Sequence, residues 1–285
     1  MTNAELCLLA QEYGFKRVCV TEAPDGSDKA YVLLIMPYEG GISPAGVREG
    51  VISPYYKASN RAHAAAREIA KKLEQLGYSA YADTKTAVKP LLVRSGIGEM
   101  GRNSLVGIDG LGSRFHVQLI VTDAPLERVR LSLPVKKLAV RCLECERCVK
   151  ACPAGAIGEN FAIDTDKCLR AVSELTPPPA DKRRKLGNRI LGCDVCQDVC
   201  QINAELARSE ALTVSLEALL KGEITELSEL IGTNYARKKR MRIKALIACA
   251  NMGRTELLPL IRELCRDEDK DIAGTAAWAC GELEK

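Results

Sequence analysis

The chain has 285 residues, 47% of them apolar and 27% charged, with a formal net charge of +4 and 13 cysteines. At roughly 150 residues per domain this length holds about two domains, and no run of ~18 apolar residues is present to cross a membrane. The start, Met1 to Cys7, lacks the basic flank and apolar core of an export signal, so the expectation is a cytoplasmic monomer with no membrane partner, in which disulfides do not persist.

Residues Ala4 to Tyr13 read as a helix stopped by Gly14, and Arg17 to Val20 as a short strand. Ala30 to Met36 is a continuous apolar run ended by Pro37, which suits a buried central strand. Pro54 to Tyr56 reads as extended, and Asn60 as the start of a long amphipathic helix that Gly77 ends. Tyr78 to Ala82 returns as a strand and puts Asp83 at its carboxyl end, where α/β sheets tend to hold ligands. Asp83 is the candidate acid, because a carboxyl group desolvated there can keep a proton near neutral pH; the competing reading is a solvated turn aspartate. His63 on the long helix and His116 on a later strand each read as surface or satisfied core residues rather than ligands.

The segment Ser95 to Asn103 carries Gly96, Gly98 and Gly101. As a dinucleotide fingerprint it is weak, since it follows a helix pattern instead of ending a strand. Its glycines suit either backbone approach to a large flat group or a tight turn, and both readings stay open. His116 to Thr122 is the next strand, and the alternation of helices and strands up to about residue 135 makes a layered α/β domain.

The strongest signal follows. Cys142, Cys145, Cys148 and Cys152 with Pro153 form a C-x2-C-x2-C-x3-C-P run, Cys168 stands alone, and Cys193, Cys196 and Cys200 form a second group. Two-residue gaps let thiolates converge on one iron–sulfur cube, and the fourth cysteine of such a run serves the other cube. The expected partition is Cys142, Cys145, Cys148 and Cys200 on one 4Fe-4S cube, and Cys152, Cys168, Cys193 and Cys196 on the other. Tetrahedral zinc is the rival for paired C-x2-C knuckles, but the compact triple run favours iron–sulfur. An oxidised cube with its thiolates carries about −2, so two cubes cancel the formal charge and whole-chain charge says little about nucleic acid. Cys7, Cys19, Cys249, Cys265 and Cys280 read as buried small hydrophobes. Clusters move single electrons, which makes the α/β domain the place where the electrons are used.

Thr176 to Pro179 is a stiff connection before a basic helix start at Asp181 to Lys185. After Cys200 helix formers dominate and the tail reads as helical. Ile247 to Met252 and Trp278 to Leu283 are alike, with a helix over Glu256 to Arg266 between them, the pattern of a short HEAT-like α-solenoid. Arg237, Lys238, Lys239 and Arg240, with Arg242, Lys244 and the adjacent Tyr235, suit phosphate contacts with aromatic support; a solvated face is the plainer reading of such a run.

Taken together these residues resemble the epoxyqueuosine reductase family. The motifs that carry the resemblance are Cys142 to Ile157, Gly187 to Cys200, Gly96 to Asn103, Asp83-Thr84 after a strand, and, more weakly, Gly112-Ser113 and Ala248 to Gly253. The resemblance implies an α+β protein in three parts: an α/β cobalamin-binding domain at 1–135, a ferredoxin-like double-cluster module at 136–212 and a HEAT-like tail at 213–285. It implies two 4Fe-4S clusters and cobalamin as cofactors, with Gly96, Gly98, Gly101, Asn103 and Ser113 at the cobalamin. It further implies Asp83 as proton donor, tRNA as partner through Arg237 to Arg240, an external electron donor, and reduction of epoxyqueuosine to queuosine in tRNA. The chain departs from the family pattern after Thr84, at Glu99 in place of tryptophan, and at Gln201 to Asn203. The altered sequence around Asp83 and the short solenoid support an alternative, a corrinoid-binding or electron-transfer paralogue that does not act on tRNA.

Overall fold

The structure, a computed structural model, describes residues 1–42, 46–132, 138–158 and 161–285. Helix α1 (Asn3–Glu12) starts at a capping box in which Thr2 and Glu5 satisfy each other's backbone N–H groups. Strands β1 (Arg17–Glu22) and β2 (Ala30–Pro37) follow, then two short strands, β3 (Gly40–Ile42) and β4 (Gly50–Ile52). Helix α2 (Tyr55–Gln75) begins at Tyr55, five residues before the expected start. The reason is Pro54, whose φ of −56° already presets the helical turn; Asn60 is free to bond elsewhere. After α2 come β5 (Ala80–Asp83), α3 (Val88–Arg94), the two-residue strands β6 (Glu99–Met100) and β7 (Val106–Gly107), and β8 (Phe115–Thr122).

Four of these strands make one sheet in the order β1-β2-β8-β5, and every pairing in it is antiparallel. β2 is central, with α1 and α2 packed on one face and Leu91, Leu92 and Val93 of α3 on the other, which accounts for its unbroken apolar run. The rule for ligand sites in parallel sheets therefore does not place Asp83. It stands at the end of the edge strand β5, opposite Leu119.

The second half contains α4 (Arg147–Ala151), α5 (Leu169–Glu174), β9 (Arg189–Leu191) and α6 (Val195–Asp198). The basic stretch Asp181 to Lys185 is not a helix start but lies in two 3-10 turns, Ala180–Lys182 and Arg184–Leu186. The chain after Cys200 is not helical at once either. It forms β10 (Arg208–Glu210), parallel to β3, and β11 (Leu212–Val214), antiparallel to β4, while β4 also pairs with β9. Glycine makes this possible at Gly50, where a Cβ would lie 2.5 Å from the Ile190 side chain. Helix propensity yields to partners more than 150 residues back along the chain.

The tail is helical from there: α7 (Leu216–Lys221), α8 (Thr225–Ile231), α9 (Lys238–Asn251), α10 (Leu258–Leu264) and α11 (Lys270–Leu283). The repeat corresponds to α9 and α11, but Cys249 is buried whereas Cys280 is only partly so. Of the cysteines outside the motif, Cys19 and Cys249 are buried as expected; Cys7, Cys265 and Cys280 are partly exposed, and the Cys265 and Cys280 sulfurs face each other at 3.7 Å. One buried cluster joins Ile52 and Tyr56 to Leu169, Ile190, Leu216 and Leu246, so the segment 136–212 has no core separate from the tail. The boundary expected at 135/136 lies outside the described residues. Among the described residues no helix is long and apolar enough to cross a membrane.

Candidate redox site

Cys142, Cys145, Cys148 and Cys200 line one cavity. Burial, then the charges of Cys200, Cys142 and Cys145, push the Cys148 thiol up. In the second group burial and then Cys193 push Cys196 up to about 12, Cys168 acts on Cys193, and Cys152 packs with Cys193 on the shared core. Thiols this reluctant to ionise alone become ligands when a metal charge draws the proton off. Among the described residues no three Cys, His, Asp or Glu side chains are placed to hold a metal ion in the ligand-free protein.

The glycine segment sits against the first group of thiols. A Cβ on Gly101 would lie 2.9 Å from Asn103 Oδ1 and 3.9 Å from Cys142 Sγ. Asn103 and Ser113 line the same cavity, and Arg102 donates to the carbonyls of Cys142 and Leu143. Gly98 accommodates Val106, and Gly96, at φ +78°, makes a turn in open space. Of the five residues expected at cobalamin, Gly101, Asn103 and Ser113 thus line the cavity of Cys142, Cys145, Cys148 and Cys200, and two serve the local turn and packing; none lines the cavity that holds Asp83.

That cavity, of about 710 Å³, lies between α2, β5, β8 and the loop after α8. Asp83 lines it together with both histidines of the chain, His63 and His116. Asp83 Oδ1 accepts from the Lys85 N–H at 2.6 Å, and Oδ2 accepts from the Thr86 hydroxyl at 2.5 Å. Partial burial acts to raise its pKa, but these hydrogen bonds outweigh it and hold the carboxyl below the usual aspartate range. The expected proton-holding acid is therefore an ionised carboxylate in the ligand-free protein. His116 Nδ1 lies 3.1 Å from the Tyr55 hydroxyl, and burial pushes its pKa down to about 4, so the imidazole is neutral. The second group of thiols is next door: Arg170, two residues after Cys168, stacks 4.0 Å from the Tyr55 ring centroid, and Lys89, beside the cavity residue Val88, feels the charges of Arg170 and Cys168.

The profile of a 4Fe-4S double cluster binding domain matches residues 141–203. Epoxyqueuosine reductase of Bacillus subtilis (strain 168) is 28% identical over 206 residues, 67% of this chain and 51% of that protein. A crystal structure of epoxyqueuosine reductase with an epoxyqueuosine-modified tRNA-Tyr stem loop superposes at a TM-score of 0.80 and 22% identity, covering 99% of this chain and 90% of that one. The chain is thus similar to epoxyqueuosine reductases over part of its sequence and shares their fold. An uncharacterized protein of Geobacillus stearothermophilus is 32% identical over 186 residues, 60% of this chain and 83% of that protein. The alignment spans about half the length of the Bacillus subtilis relative.

The double-cluster match favours iron–sulfur over zinc for the segment 141–203. The basic run is less free than its sequence suggests. Arg237 and Lys238 are exposed, but Lys239 pairs with Asp269 and Asp271 at 2.9 and 2.6 Å. Arg240 bonds to Thr176 and to the carbonyl of Asn234, Arg242 pairs with Asp267, and Lys244 is buried with Nζ 2.7 Å from the Leu175 carbonyl. Tyr235 lines the Asp83 cavity and packs edge-on to Tyr56 at 4.7 Å. Single-residue reasoning passed over His63 and His116. A signal was present: Tyr55, Ser59, His63 and Arg67 form a polar stripe at four-residue spacing along α2, and all four line the cavity.

Proposed function

We propose that this protein is a corrinoid-dependent iron–sulfur reductase that converts epoxyqueuosine in tRNA to queuosine. The observation that carries the reading is a cavity holding Asp83 and both histidines beside the cysteines of the second cube. Removing an epoxide oxygen takes two electrons and two protons: both C–O bonds break, a C=C bond forms and the oxygen leaves as water. Eight thiols in the matched segment suit two cubes, and Tyr55, His116 and Gln118 of the Asp83 cavity are the residues that would meet the corrin. When bound, the clusters supply single electrons and the corrin a reducible metal centre.

The chain's own part is the proton. Asp83 is held for delivery at the epoxide oxygen by Thr86 and the Lys85 N–H. Filling the cavity displaces water from around the carboxylate, which favours its protonated form. Neutral His116, bonded to Tyr55, keeps a second proton-carrying pair at the same wall without adding charge. Electrons enter from an external donor at the first cube, where Val140 and Leu143 stand exposed beside Cys142.

Asp83→Asn keeps the side chain's size and removes its acidic proton. Single-turnover loss of epoxyqueuosine from tRNA is expected to fall by about 10²–10⁴-fold, the range for a general acid, with cluster and corrin content unchanged. Unaltered turnover would return Asp83 to a turn residue. The internal pairing of Lys239 and Arg240 favours the electron-transfer paralogue as second reading. It prevails if the parent protein holds reduced corrin yet leaves epoxyqueuosine-tRNA untouched.

A further inference from the structure

Two of the five cysteines outside the cluster motif meet. Cys265 is the C-cap residue of α10 and Cys280 lies on α11, and their sulfurs stand 3.7 Å apart with both residues partly exposed. Beside them Arg262 of α10 pairs with Glu284, the C-cap of α11, at 2.9 Å, so an ion pair joins the same two helices. Cys249, the matching position of the sequence repeat, is by contrast fully buried on α9 and closed to reagents. The span between the two cysteines carries three carboxylates that face α9. Asp267 pairs with Arg242 at 3.2 Å, and Asp269 and Asp271 pair with Lys239 at 2.9 and 2.6 Å. Asp269 also caps α11, accepting from the Asp271 and Ile272 N–H groups. This acidic turn therefore starts α11 and holds two cations of the basic stretch of α9.

Contact between two thiols is the starting geometry of a disulfide. The S–S bond is about 2.05 Å long, so closure from 3.7 Å asks for about 1.7 Å of approach, a displacement that rotation about the two Cα–Cβ bonds supplies. We propose that Cys265 and Cys280 are a reversible disulfide site, closed by exchange with a small disulfide of the glutathione type, and that closure shuts residues 265–280 into a covalent loop that holds the acidic turn in place. One protein thiolate attacks oxidised glutathione; its S–S bond breaks, a mixed disulfide forms and one glutathione thiolate leaves. The second protein thiolate attacks the mixed disulfide, the internal S–S bond forms and the second glutathione leaves. Two electrons pass from the protein sulfurs to the glutathione pair, which departs with the two thiol protons as two molecules of reduced glutathione. In a reducing compartment such a bond is transient, because excess thiol opens it again. Neither the cubes nor any reaction on tRNA takes part in it.

The test equilibrates the anaerobic holoprotein with oxidised and reduced glutathione, blocks free thiols by alkylation and digests with trypsin. Cys265 falls in the tryptic peptide 263–266 and Cys280 in 271–285, which stay together only through a disulfide. Tethered sulfurs in contact have an effective concentration of mM or more toward each other, so at about 0.1 mM reduced glutathione the internal disulfide is expected to exceed the mixed disulfide by about tenfold or more. Dithiothreitol should return both thiols. Burial, and then the Cys265 sulfur, push the Cys280 thiol up to about 11, so exchange is slow and the ratio is read at equilibrium. Amide hydrogen exchange over residues 266–270 is expected to slow in the oxidised protein and to keep the reduced rate in Cys265→Ser given the same treatment. Both results are required. Thiols left free, mixed disulfides without the linked peptides, linkage of either cysteine to a motif cysteine, or equal amide exchange in the oxidised and reduced forms overturns the proposal. Should Cys265→Ser fail to fold, the two forms of the unmutated protein decide alone.

Discussion

A histidine set into a strand and bonded to a tyrosine hydroxyl is in a poor place to gain charge. Burial is the main cause of the low pKa of His116, with Arg170 and His63 adding to it and only the Gln118 side chain opposing. The folded pKa of about 4 lies below the unperturbed 6.5, so between these values the unfolded chain binds a proton that the folded chain does not. Stability is therefore full above about pH 6.5 and is lost as pH falls toward 4, by at most roughly 1.4 kcal/mol per pH unit. Asp83 does not blur this window, because its lowered pKa moves its own loss of stability below the ordinary aspartate value of 3.8. His116→Gln should flatten the pH dependence of the urea midpoint between pH 6.5 and 4. Parallel curves for parent and variant would mean that the imidazole charges freely in the fold.

At the scale of the element, the start of α9 is electrostatically awkward. Arg237 is its N-cap, and Lys238, Lys239 and Arg240 follow in the first turn, the end of a helix that favours negative charge. Lys239 is compensated by Asp269 and Asp271, and Arg240 by Thr176 and Asn234; Arg237 and Lys238 remain exposed. Under the proposed function, Arg237 and Lys238 are the cations of this turn that an RNA phosphate would meet. Replacing Arg237 and Lys238 by Ala is expected to lower the salt slope of tRNA binding by roughly 0.7–0.9 per lost phosphate contact without lowering the melting temperature. Replacing Lys239 and Arg240 should do the reverse, reducing stability more than the slope. Equal slopes for the parent and the Arg237/Lys238 variant would remove this helix from the RNA interface.

At the scale of the whole molecule, the proposed cubes would tie the second half of the chain together across long intervals. Cys142 and Cys200 share a cavity although 58 positions separate them. Between them run α4, α5, β9 and α6, and directly after Cys200 the chain returns to β3 and β4 of the first half. Loss of Cys200 should therefore damage the same cube as loss of Cys142. Iron content and EPR spectra of Cys200→Ala and Cys142→Ala are expected to agree with each other and to differ from those of Cys193→Ala; a defect shared by Cys200→Ala and Cys193→Ala would break the crossed partition.

The sequence by itself determined the double-cluster motif and most of the elements. Ligand spacing acts over a few residues, and the apolar runs of β2 and β8 and the four-residue stripe of α2 are equally local. Only the tertiary structure decided what depends on distant partners. The antiparallel order of the sheet places Asp83 on an edge strand, β10 and β11 form because β3 and β4 accept their hydrogen bonds, and the cavity exists because α2, β8 and the loop after α8 meet. Local chemistry also leaves charge open. Asp83 is ionised because Lys85 and Thr86 turn back onto it, and His116 is neutral because it is buried, with Tyr55 of α2 bonded to its ring and the charge of Arg170 of α5 adding to the effect. A side chain's ionisation is set by what surrounds it in space, and neighbours in space are brought together by folding.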